Sequence, residues 1–287
     1  MAGNPLINNM TKPQGDPRFG QFGAGGTTTA SNPYGQQAPY GQQAPYGQPV
    51  SAEQLNQMYT APAATPVDTN RITINDIIVK TGLNFGLVLV AAVIAWQFPI
   101  LMFVGLVGGL VLGFVNALKK QVSPALVMTY SVMEGFLVGG LSLFFEASYP
   151  GIVVQAVLAT VIVFGTILAL FSSGKIRATA KLTRFFMVAA ISYTVFCLVN
   201  LVTSMFFDFN ARSVEVMGIP LGLIIGLFAV LLATYSLLLD FTHASEAIKS
   251  GLPERESWRI AFGLVVSLVW LYIEILRVIY YIRSMAD

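Results

Sequence analysis

Seven apolar stretches follow one another along this 287-residue chain, at 77–96, 100–118, 124–145, 151–171, 185–207, 219–239 and 261–282. Each has about the twenty residues that a helix rising 1.5 Å per residue needs to cross roughly 30 Å of hydrocarbon. The stretches are apolar all round, whereas the strands of a membrane barrel are shorter and alternate in polarity. The expected fold is an all-α membrane protein, a seven-transmembrane-helix bundle. At 55% hydrophobic and 10% charged residues, the chain has too few charges for the mixed surface of a soluble domain. Its expected surroundings are the lipid bilayer, with no nucleic-acid partner.

The basic residues give the orientation. Arg71, Lys80, Lys119, Lys120, Lys175, Arg177, Lys181, Arg184, Lys249, Arg255 and Arg259 fall on one side of the seven spans, and Arg212 and Arg283 on the other. The positive-inside rule predicts a cytoplasmic amino terminus, a carboxyl terminus outside, and a multi-pass place in the cell (plasma or inner) membrane. No apolar run precedes residue 71, so the first span is expected to serve as the insertion signal.

Residues 1–70 read as a separate region from the transmembrane domain, 71–287. From Pro33 the chain repeats PYGQQA, PYGQQA, PYGQPV. Such a composition buries too little apolar area to offset its ordering entropy, which predicts a disordered cytoplasmic tail. Tyr34, Tyr40 and Tyr46 are evenly spaced within it, either as stickers for a partner or simply as part of a flexible spacer.

Several chemistries are not expected. Cys197 is the single cysteine, inside the fifth span, so no disulfide forms within the chain. The single histidine, His243, follows the sixth span near Asp240, which leaves no Cys/His metal cluster. No GxSxG elbow, HExxH pair, Walker loop or Rossmann fingerprint is present, so the chain is not expected to be an enzyme or to hold a resident cofactor. Glycines recur every four residues at Gly109 and Gly113, at Gly135 and Gly139, and at Gly218, Gly222 and Gly226, a pattern for close helix packing.

The ionisable residues within the spans are the candidate sites. Glu134 lies ten residues past Pro124, hence about 15 Å into the bilayer. A charge at that depth costs at least ~2.5 to 3.5 kcal/mol, so Glu134 should face the bundle interior, with Tyr130, Ser131 and Ser142 near its face. It either belongs to a polar path or ties helices together. Glu274 and Arg277 have an i,i+3 spacing that lets each offset the other's charge. The pair either eases insertion or leaves Arg277 to hold an acid from another helix. Asp240 closes the sixth span at its cytoplasmic mouth.

The stretches YSLLLDFTHASEAI (235–248), WLYIEILRVIYY (270–281), and EGFLVGGLSLFFE followed by YPGIVVQAVLATVIVF (134–164) together resemble the Bax inhibitor-1/YccA family over 77–282. The resemblance implies seven helices, six around a more central seventh. In bacterial relatives it implies a pH-sensitive calcium leak gated by two aspartates, one ending the sixth helix and one early in the seventh. Asp240 matches the first. Ser267 stands at the second, and 263–270 contains no acid, which puts the two-carboxylate switch in doubt. The family's seventh-helix arginine matches Arg277, but its acidic partner in the second helix is missing, leaving Glu134 or Glu274 to replace it. Lys119 and Lys120 are candidate latches for Asp240. Calcium, if bound at all, is expected to be transient, at Glu134 and Asp240. Another branch of the family restrains a membrane ATP-dependent protease, which leaves a non-conducting regulator as the alternative function.

Overall fold

The structure, a computed structural model, describes residues 51–53, 56 and 69–286. Apart from residues 51–53, 56, 69 and 70, the expected tail lies outside the described residues. The helices belong to a compact unit, Pro62–Asp287.

Seven helices among the described residues are long and apolar enough to cross a membrane. They are α1 (Ile74–Gln97), α2 (Leu101–Leu118), α3 (Pro124–Ser148), α4 (Ile152–Ser172), α5 (Ala180–Phe206), α6 (Leu221–Lys249) and α7 (Ser257–Ser284). The protein is an all-α, multi-pass membrane protein, and its lipid-facing surface is apolar.

Local chemistry sets the helix ends, which lie beyond several of the apolar stretches. Thr73 and Asp76 form a capping box that starts α1 ahead of its apolar run. Pro124 opens α3, where its missing N–H costs nothing. Glu146, late in α3, accepts hydrogen bonds from the backbone of Gly151 and Val153 and so caps the start of α4. The largest difference is in α6, which runs ten residues past Leu239 to Lys249 and stops where Gly251 turns left-handed at φ 60°. An apolar run reports how much helix lies in hydrocarbon, not where the backbone hydrogen bonding ends.

Helix α7 packs against α1, α3, α4 and α6, with α2 backed by α3 and α5 by α6. Half of the α7 span is buried (50%), against 11% of α5. Of the expected glycine pattern, Gly135, Gly139, Gly222 and Gly226 serve close helix contacts, while Gly218 lies in a turn with open space around it. A Cβ at Gly135 or Gly139 would run into the α1 backbone at Val88 or Ala92, and one at Gly105 into the α3 backbone. At the base-rich end, residues 70–72 pair with the α6–α7 loop, Ile72 N–H donating to Leu252 (2.8 Å) and Glu254 N–H to Asn70 (2.8 Å).

Candidate functional site

Asp240 lies nine residues inside α6, not at its end. Its carboxylate accepts a hydrogen bond from Ser267 of α7 at 2.5 Å. Ser267 also shares a 2.7 Å hydrogen bond with Ser236, one turn before Asp240 on α6. Gly263, one turn before Ser267, leaves the space that Asp240 fills, since a Cβ there would stand 2.8 Å from its Oδ1. Asp240 also lines a cavity of about 200 Å³ with His243, Glu256 and Arg259. Arg259 donates to Glu256 at 2.8 Å and to the Lys120 carbonyl at 2.8 Å. Lys119 and Lys120 thus meet this region through their backbone carbonyls, and their side chains are exposed.

Glu134 lies half-buried in the middle of α3, at its contact with α2. A Cβ on Gly109 would be 3.2 Å from its Oε1, so glycine is what admits the carboxylate. Tyr130, one turn earlier, is the polar side chain beside it. The two serines expected near its face bind other helices. Buried Ser131 donates to Asn84 of α1 (2.9 Å), and Ser142 is paired with Tyr272 of α7 (2.7 Å).

The densest charge cluster surrounds Glu274, which is 2% exposed. Arg277 donates to Glu274 Oε1 at 2.9 Å, as their spacing on α7 permits. Tyr193 of α5 donates to the same oxygen at 2.5 Å and accepts from Arg212 at 2.6 Å. Arg212 also lies 3.6 Å from Glu274 Oε2. Nothing in the spans pointed to Arg212, which follows α5 in the connection to α6. The loop carries it inward. Asn200 accepts from Ala211 N–H (2.8 Å), and Asn210 accepts from Arg212 N–H (3.0 Å). A two-residue hairpin then turns back through Met217 and Gly218, both at positive φ (57° and 78°), the geometry of a type I′ turn. Burial works against the Arg212 charge, but the Tyr193 and Glu274 oxygens outweigh it and hold its pKa above the ordinary arginine value. The one available signal was its position as a base on the base-poor side.

These groups sit at separate stations. Among the described residues no three His, Cys, Asp or Glu side chains converge as a metal-binding group, and Glu134 and Asp240 lie on different helix pairs. Ser267 and Glu274 are seven residues apart on α7, which puts them on one helix face about 10 Å from each other. Between them Trp270 stacks on Tyr193 at 5.7 Å. Two of the three stations adjoin a cavity, about 200 Å³ beside Asp240 and about 350 Å³ beside Arg277 and Arg212.

No curated protein sequence matches the chain. A family model described as Bax inhibitor 1 like matches residues 21–284, which take in all seven helices, and the chain therefore belongs to the Bax inhibitor-1-like family.

Proposed function

We propose that the protein is a cation leak, most simply for calcium, closed in the conformation described. The observation that carries this reading is the pair of stations on one face of α7. Asp240 with Ser267 adjoins a cavity at the base-rich end, and Glu274 with its arginines adjoins one at the other. Hard cations take oxygen ligands, and the hydroxyl and carboxylate oxygens of the first station offer a weak, transient stop for calcium rather than a resident site. At the second station two guanidinium groups oppose a passing cation, so conduction requires them to move out of its path. Glu134, half-buried between α2 and α3, is a further acid whose charge conduction would sense. The reading needs no catalysed reaction and no cofactor.

We place the protein in the cell membrane with its amino-terminal tail in the cytoplasm and its carboxyl terminus outside, on the distribution of bases. Purified protein in liposomes tests the function. Calcium entry that Asp240→Asn alters and Glu134→Gln largely abolishes supports the leak. Liposomes that pass no calcium at any pH, with co-purification of a membrane protease, would favour a non-conducting regulator.

A further inference from the structure

At the base-poor end, the cavity of about 350 Å³ lies where α3, α5, α7 and the α5–α6 connection meet. Both Arg212 and Arg277 line it, together with the polar side chains of Asn200, Ser204 and Tyr281. Glu274 is not part of the lining, and the lining residues include no carboxylate among the described residues. The cavity therefore meets two cations whose one shared counter-ion stands outside its wall.

The charges do not cancel within the cluster, which holds two guanidinium groups and one carboxylate. Arg212 is 5% exposed, and its Nη1 and Glu274 Oε2, both buried without a hydrogen bond, face each other at 3.6 Å. Arg277 gives one nitrogen to Glu274 and has 29% of its side chain exposed. An oxyanion in the cavity would balance this surplus charge and take charge-assisted hydrogen bonds from the exposed part of Arg277.

Depth narrows the ligand class. Helix α7 has 28 residues, hence about 42 Å, against roughly 30 Å of hydrocarbon, so its ends reach the headgroup layers. Arg277, seven residues from the end of α7, then lies near the hydrocarbon boundary, within reach of headgroup phosphates. Leu201 and Phe144 add apolar wall beside the polar groups, which suits an ester better than a bare ion.

We infer that this cavity binds a phosphate ester between Arg212 and Arg277. The ester is either a lipid headgroup or a soluble phosphate ester, which share this chemistry.

Thermal unfolding of the full chain in maltoside micelles tests the inference. Glycerol 3-phosphate is titrated at fixed ionic strength, and in a parallel arm phosphatidylglycerol, with diacylglycerol as the phosphate-free control. A saturable rise in midpoint with at least one phosphate probe, and none with diacylglycerol, is expected. A response to glycerol 3-phosphate identifies soluble esters as sufficient; a response to phosphatidylglycerol alone identifies the headgroup. Arg277→Gln should raise the half-saturating concentration about tenfold or more, the worth of a charged hydrogen bond, while Arg283→Gln leaves it unchanged. Ser204→Phe fills the cavity, keeps both arginines and should abolish the response. No rise with either phosphate probe, or a rise that survives undiminished in either folded cavity variant, overturns the inference.

Discussion

Ser267 donates to Asp240 across the α6–α7 contact, so a hydroxyl occupies the position at which the family resemblance implies a second aspartate. Ser236 is bonded in turn to Ser267, and the carboxylate that Ser267 holds also lines a cavity. A lone carboxylate titrates in one step, whereas two that share a site titrate in two coupled steps that belong to the pair.

The pH profile of flux should accordingly lose one ionisation step in Asp240→Asn. Ser267→Asp places a second carboxylate within hydrogen-bonding reach, where the two share one proton, and should add a second step. Calcium entry into liposomes across a pH series reads this directly. A Ser267→Asp profile that superimposes on the wild type would show that the two positions do not interact.

The small-residue contact of α1 with α3 leads to an internal comparison. A Cβ at Gly139 meets the Ala92 backbone, which cannot move aside as a side chain can, and overpacking of that kind costs about 1–3 kcal/mol. Gly86, on α1, has nothing within 4 Å of an added Cβ, and alanine there should gain about 0.5–1 kcal/mol from the helix backbone alone. Thermal midpoints in detergent should fall for Gly139→Ala and rise or hold for Gly86→Ala. The same sign for both would remove the packing argument.

The helices were legible because twenty successive apolar residues have few other folds open to them. The same signal did not give the end of α6, since helical hydrogen bonding continues through the polar 240–249 segment and puts Asp240 inside the helix. Glu274 with Arg277 followed from helical spacing, which is a local rule. Arg212 did not, because its burial depends on a loop held by Asn200 and Asn210 and on a hairpin with two left-handed residues, all of which act only once α5 and α6 are in place. Tyr193, an aromatic residue in an apolar span, carried no mark that distinguished it from packing.

Topology gives a further prediction. In a Cys197→Ala background, Met285→Cys should react with an impermeant maleimide in intact cells, and Lys120→Cys only after lysis. Both replaced side chains are exposed, so access rather than burial decides the result. Protection of residue 285 in intact cells would reverse the orientation proposed from the bases.

Glu274 is the shared counter-ion of two arginines, and one of them is buried. Glu274→Gln keeps the shape but leaves Arg212 with no carboxylate, and breaking a buried pair in this way costs about 3–5 kcal/mol. Arg212→Met should cost less, because Glu274 retains Arg277 at 2.9 Å and Tyr193 at 2.5 Å. Since the penalty in Glu274→Gln is mainly that of a stranded charge, adding Arg212→Met to it should restore stability rather than subtract further. A double-mutant cycle on thermal midpoints measures that coupling. Additive losses in the double variant, or an unchanged midpoint for Glu274→Gln, would mean that Arg212 finds its compensation elsewhere and that the cluster does not hold the α5–α6 connection to α7.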